Sequence, residues 1–269
     1  MHKILIFTDI HIVAEGETII GLDPSARFVA ALDHALAHHG DAQAIFIAGD
    51  LTHHGRPEEY ARLKEHLDGV PLPVTLLLGN HDNRANFAKV FADQLCAETG
   101  FSQSIQEFGS WNVIGLDTLH PETEPYHGGH LCADRMTFLR KALDAAGTAS
   151  TLVIQHHPPM PQGFDGMDAI ALDNGSEELA ILAHAGVDHL ICGHVHRTIS
   201  GVAQGVSYSI FKSPCHQMPM VLGEGSSALS VDEPGAYGIV LLGEKQIIVH
   251  SEDVGLSADQ PSEDSSSGS

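Results

Sequence analysis

The sequence predicts a layered α/β domain, on three observations. Short apolar runs alternate with amphipathic helical patterns up to about residue 200, the runs are continuous in Ile, Leu and Val, and most end directly in a polar residue. Strands covered on both faces read as unbroken apolar runs, because neither face meets water. Such runs fall at residues 3–8, 44–48, 74–78, 111–116, 151–155 and 189–192. Helical periodicity covers 25–38, 57–67, 84–95, 134–146 and 176–184. Pro57 followed by Glu58 and Glu59 suits a helix start, with a pre-set φ and acids at the positive end of the dipole.

Beyond residue 200 the pattern changes. Segments 197–202, 206–211, 238–242 and 246–250 read as strands of one largely antiparallel sheet. The intervening residues 213–235 are rich in Pro, Gly, Ser and Met, and read as an excursion that either covers a site or makes a subunit contact. Residues 251–269 hold seven Ser and five acids with no Lys or Arg, the composition of a solvated, disordered tail, which leaves 1–250 as the folded domain.

With 43% apolar residues in 269, the chain can bury a large core. Its net charge of −22, from 13 basic and 35 acidic residues, repels nucleic-acid polymers and anionic lipid. A small phosphate ester is still compatible, provided bound cations reverse the local field. No apolar stretch approaches the roughly 20 residues that cross a bilayer. The opening MHKILIFTDIH lacks a small-residue cleavage site, and Cys96, Cys132, Cys192 and Cys215 form no CxxC pair. These features lead us to expect a cytoplasmic protein with reduced thiols and no membrane partner. Histidine is the outlier, with 20 in one chain.

Five apolar runs end in groups able to bind metal. Asp9 and His11 follow the first, Asp50 the second, Asn80 and His81 the third, His156 the fifth, and His194 and His196 the sixth. In open α/β sheets, ligands bind outside the carboxyl ends of strands, so groups scattered over nearly two hundred residues would gather at one edge. Gly49, Gly79 and Gly193 are expected to allow tight turns there. Imidazole and carboxylate together favour Zn, Fe or Mn over Mg or Ca, and the lack of thiolates argues against a structural zinc site. A carboxylate can bridge two cations, and Asp50 is the natural bridge. Two ions roughly 3.5–4 Å apart share one water and deprotonate it near neutral pH, giving a hydroxide that attacks phosphorus. His81 follows Asn80 directly, so it is placed to donate a hydrogen bond to the phosphoryl group or to protonate a departing alkoxide.

In order, Asp9-x-His11, Gly49-Asp50, Gly79-Asn80-His81-Asp82, His156-His157-Pro158 and Gly193-His194-x-His196 resemble the five blocks of the calcineurin-like metallophosphoesterases, over roughly residues 3–200. The resemblance implies a four-layer α/β/β/α sandwich, two mixed sheets flanked by helices. It also implies two divalent ions (Fe, Mn, Zn or Co) bridged by Asp50 and a hydroxide. Carried over by position, one ion would use Asp9, His11, Asp50 and His196, and the other Asp50, Asn80, His156 and His194. Residues 55–60, His156-His157-Pro158-Pro159 and residues 215–219 are similar to the small bacterial glycerophosphodiesterase and cyclic-nucleotide phosphodiesterase branch. In that branch His53, His127 and His216 match pocket-lining positions, with a surface-loop role as the alternative. The protein-phosphatase branch instead continues its second block as GDxxDRG. Here those positions read His53, His54 and Gly55, which leaves the orienting partner of His81 unassigned.

The expected function is therefore hydrolysis of a small phosphodiester, a glycerophosphodiester or cyclic nucleotide, by a homo-oligomer. The alternatives are a phosphomonoesterase or broad phosphonate-ester hydrolase, or a non-catalytic module on the same fold. Other residues carry plainer expectations. Asp82 reads as the N-cap of the helix at 84–95. His157 reads as a support or packing residue, its side chain pointing away along the strand. His34, His38 and His39 read as helix-surface residues without a catalytic part, and Cys192 and Met218 as packing.

Overall fold

Alternation along each strand decides where the apolar runs go. In β1 (His2–Phe7), Ile4 and Ile6 enter one core layer while Leu5 and Phe7 enter another. A run buried on both faces is the result. The computed structural model describes residues 1–120 and 127–255. Within them, β2 (Ala44–Ala48), β3 (Val74–Leu77), β4 (Ser104–Phe108), β5 (Trp111–Gly115) and β6 (Ser150–Ile154) precede β7 (His189–Cys192). Then follow β8 (Ile199–Ala203), β9 (Val206–Ile210), β10 (Gly235–Leu242) and β11 (Ile247–Val254).

The strands form two mixed sheets, one of five in the order β11-β10-β1-β2-β3 and one of six in the order β4-β5-β6-β7-β9-β8. Strands β1, β2 and β3 run parallel, as do β5, β6, β7 and β9, while β10, β11, β4 and β8 are antiparallel to their neighbours. Ile4, Phe46, Leu77, Trp111, Leu152, Ile191 and Val240 form the dry layer between the sheets. Helices α1 (Pro24–His39), α2 (Pro57–Leu67) and α3 (Arg84–Val90) cover the first sheet. Helices α4 (Ala133–Ala146) and α6 (Gly175–Ala185) cover the second, with a short α5 (Asp165–Asp168) between them in sequence. This is the expected four-layer α/β/β/α sandwich.

The helix starts follow the sequence signals. Asp23 caps α1, its carboxylate accepting from the Ser25 and Ala26 amides ahead of Pro24. At α2, Pro57 opens the helix and the fully buried Glu59 accepts from the amides of His54 and Arg56.

Three expectations need correction. The strands beyond residue 200 do not form one sheet: β8 and β9 extend the second sheet, and β10 and β11 complete the first. An apolar run specifies a strand but not its partner, and pairing went to the open edges beside β7 and β1. The segment expected to be a tail from residue 251 begins as strand, because β11 continues to Val254, which is buried. Polar residues are tolerated there because β11 is an edge strand with one wet face; residues 256–269 of the expected tail lie outside the described residues. The helix expected over 84–95 ends at Val90 and gives way to a 3-10 turn, Ala92–Gln94. Strand β4, half-exposed and rich in polar residues, was not anticipated. Among the described residues, no helix is long and apolar enough to cross a membrane.

Candidate metal centre

The ends of β1 and β2 meet the ends of β6 and β7 across the two sheets. Asp9, His11, Asp50 and His196 each present a donor atom, all within 4.8 Å of one another and all buried. Nε2 of His11 lies 3.0 Å from Nε2 of His196, and the latter lies 3.2 Å from Asp9 Oδ1. A second group forms around Asn80, whose Oδ1 is 2.9 Å from His194 Nδ1 and 3.0 Å from His156 Nε2. Asp50 reaches both groups: its Oδ2 is 3.6 Å from His11 Nε2 and 3.4 Å from His156 Nε2. The structure thus brings together all seven residues that the sequence singled out.

Backbone carbonyls aim the imidazoles. Nδ1–H of His156 donates to the Ala48 carbonyl at 2.9 Å, and Nδ1–H of His196 to the His216 carbonyl at 2.8 Å. A carbonyl only accepts, so each ring keeps its proton on Nδ1 and turns Nε2 inward. Asp9 is held by the Thr8 hydroxyl at 2.6 Å and the His194 amide at 3.0 Å.

The site sits on unusual backbone. Asp9, His11, Asp50, His194 and His196 all have positive φ, between 47° and 73°. Non-glycine residues adopt this conformation rarely, and its concentration here marks a place where turns, not relaxed strands, aim the side chains. Gly49, at φ 92°, makes the expected turn, and a Cβ there would lie 2.6 Å from His156 Nδ1. Gly79 and Gly193 open tight turns without positive φ of their own, Asp82 N–H donating to the Gly79 carbonyl at 3.2 Å and Val195 N–H to the Gly193 carbonyl at 2.9 Å. Close approach is what requires glycine there: a Cβ would stand 2.3 Å from Asp50 Oδ1 at Gly79 and 1.9 Å from Thr8 Oγ1 at Gly193.

Charge and burial pull in opposite directions in this cluster. Burial alone would lower the pKa of His156, but Asp50 and Asp9 outweigh it and raise the value to about 9. His196 is raised on the same balance, chiefly by Asp9. Burial lowers His11 and His194 well below the ordinary range. It would raise Asp50, yet His156 and His81 hold that carboxylate well below its usual value. Buried carboxylates that pull protons onto neighbouring imidazoles are asking for positive charge. Converging imidazole and amide donors around two buried carboxylates fit a pair of divalent cations.

His81, His53, His127 and His216 all line the cavity above this cluster, which holds about 370 Å³. Nδ1–H of His81 donates to the His53 carbonyl at 2.8 Å, and its ring stacks on that of His53 at 4.9 Å. A main-chain carbonyl therefore orients His81, the partner that the sequence leaves unassigned. His127 Nδ1 is 3.0 Å from Asn80 Nδ2, and the His216 ring lies 4.7 Å from that of His196. Burial brings His53 down to about 4 and His216 to about 2.

Two further residues matter here. The N-cap of α3 is Asn83, not Asp82. Asp82 instead accepts from the amides of Leu51, Thr52 and Gly79 and from the hydroxyls of Thr52 and Tyr60, tying the loop after β2 to the loop after β3. Burial, then the charge of Asp50, raises its pKa to about 6. Its place in the Gly79–Asp82 run is the signal the sequence offers, but only the fold shows that it also reaches Leu51, Thr52 and Tyr60, 22 to 31 residues away. His157 is fully buried, with Nδ1 2.8 Å from Thr118 Oγ1 and Nε2 3.2 Å from the His127 carbonyl, so it supports the cavity wall. His34 bonds Tyr237 on the face of α1, far from this chemistry, and Cys192 and Met218 are buried in the second sheet's outer core.

The calcineurin-like phosphoesterase family model matches residues 2–198. A "Probable cyclic nucleotide phosphodiesterase" of Rhodopseudomonas palustris is 37% identical over 250 residues, covering 92% of this chain and 91% of that protein. A "Probable glycerophosphodiester phosphodiesterase" of Arcobacter nitrofigilis is 31% identical over 78% of each chain. The purple acid phosphatase PPD1 of yellow lupin superposes with a TM-score of 0.66 at 13% identity, over 94% of this chain and 51% of that one, a likeness of fold alone. The chain therefore belongs to the calcineurin-like phosphoesterases and is a metal-dependent phosphoester hydrolase.

Proposed function

We propose that the protein hydrolyses small phosphodiesters, with one cation held by Asp9, His11, Asp50 and His196 and a second by Asp50, Asn80, His156 and His194. Bound there, two divalent ions supply the Lewis acidity that activates water and stabilises negative charge developing at phosphorus. His81, with its proton-bearing Nδ1 fixed on the His53 carbonyl, has Nε2 left to hold a proton for the departing alkoxide. His53, His127 and His216 line the same cavity and offer further donors to the phosphoryl oxygens.

The observation that carries the diester reading is the cavity wall: among the described residues, none lining it is Lys or Arg. A dianionic monoester is usually gripped by a guanidinium or ammonium. A monoanionic diester needs less, and the ions and imidazoles suffice. The names of the two similar bacterial proteins, phosphodiesterases both, agree.

The test is a comparison of bis(p-nitrophenyl) phosphate with p-nitrophenyl phosphate, using apo-protein reconstituted with Mn, Co, Zn or Fe. The diester should be preferred at neutral pH. A monoester turned over more than about tenfold faster, a difference of ~1.4 kcal/mol in transition-state stabilisation, overturns the reading.

A further inference from the structure

Eight non-glycine residues have positive φ among the described residues, and six of them belong to the histidine and carboxylate groups of the site. Gln204 is the seventh, and its place is ordinary: with Gly205 it forms the two-residue turn between β8 and β9. Ile20, at φ 47°, is the eighth and the only β-branched residue of the set. With Gly21 at φ 83° it forms a tight turn closed by Ile19 N to Leu22 O at 2.9 Å and Leu22 N to Ile19 O at 2.8 Å. Positive φ at both central residues is the turn that Asn-Gly suits best, and a β-branched side chain suits it worst.

Ile20 is only half-buried, being 52% exposed, so burial offsets little of this strain. Its side chain lines the same cavity as His81 and His196, together with Leu229, which is also 52% exposed, and Met167 and Ile170. The cavity wall thus includes imidazoles, an amide and an aliphatic portion. Exposed apolar side chains at the rim of a charged site stand where a ligand's own apolar part would cover them. A glycerol-type substituent, all hydroxyl, has nothing to place against that aliphatic portion. A flat ring of nucleobase size does.

Resting on the diesterase reading above, we infer that Ile20 and Leu229 form an aliphatic clamp that selects phosphodiesters carrying a planar or apolar substituent. The clamp acts on binding and touches no reacting atom, so its loss should appear in KM rather than kcat.

The experiment measures kcat and KM of the metal-loaded parent, Ile20→Asn and Leu229→Ser on cyclic adenosine monophosphate and on glycerophosphoethanolamine. Ile20→Asn is chosen because Asn tolerates positive φ; its Tm should rise by roughly 2–4 °C as strain is relieved. Both variants should lose about tenfold in kcat/KM on the cyclic nucleotide, mainly through KM, and little on the glycerol diester. Equal losses on both substrates, or none on either, overturn the clamp while leaving the diesterase reading intact. A parent active on the glycerol diester alone overturns it too. A parent inactive on both, with metals bound, brings down the diesterase reading itself. Should Ile20→Asn lower Tm, the turn is not strained, and Leu229→Ser in the same cavity decides alone.

Discussion

At the scale of single residues, function is written in backbone that most sequences avoid. Five of the seven residues assigned to the cations have positive φ, each at a cost of order 1 kcal/mol that the surrounding sheets must offset. His81 shows how little the neighbouring residue's type matters when its backbone is in place: the orienting group is the His53 carbonyl, which any residue would supply. The His53 ring stacked beside it is a separate contribution. If His81 protonates the leaving group, His81→Ala should keep its metals but slow alkyl diesters by roughly 10²–10⁴-fold. Activated p-nitrophenyl diesters should suffer much less, since nitrophenolate departs unaided. Equal losses on both classes, with metal content verified, would sink the general-acid role.

At the scale of elements, two consequences follow from how strands and helices are closed. Strand β11 carries Ser251, Glu252 and Asp253 into register against β10, with Asp253 paired to Lys212 at 2.9 Å and Val254 buried. Truncation after His250 should therefore lower Tm, whereas truncation after Gly255 removes none of β11 and should leave the melting curve in place. Identical curves for both would show that the end of β11 contributes nothing. Helix α6 carries a different liability. Glu178 is fully buried, its Oε2 accepting from Gln155 Nε2 at 3.0 Å and its Oε1 unpartnered. Burial raises its pKa to about 8 against an ordinary 4.5, the Gln155 bond opposing weakly. The folded state thus keeps a proton that the unfolded chain releases, and stability falls as pH rises from about 4.5 to about 8. Glu178→Gln should melt close to the parent at pH 5 and several degrees higher at pH 9, with the gap opening across that window. A constant gap would mean that Glu178 does not titrate as its burial dictates.

At the scale of the whole molecule, the assigned residues run from Asp9 to His196 and come from both sheets, so cations bound among them cross-link distant parts of the chain. An ion that binds only the folded state adds about 2.7 kcal/mol at a hundredfold excess over Kd. Chelation should accordingly lower Tm by roughly 10 °C for two ions, and reloading with Mn should restore it. Unchanged melting after verified metal removal would refute this cross-linking. By itself, the sequence determined the layered fold and which polar residues gather at one sheet edge, because both lie in local patterns. A continuous apolar run such as Ala44–Ala48 suits a strand covered on both faces, and a polar donor directly after it then stands at the sheet's carboxyl edge. Tertiary structure alone decided which edges β8 to β11 joined, that Asp82 ties two loops rather than capping α3, and that Ile20 lines the same cavity as His81. Those outcomes rest on contacts between residues far apart in the chain, where hydrophobic burial says only that a side chain is covered. What covers it is settled by the packing of the two sheets.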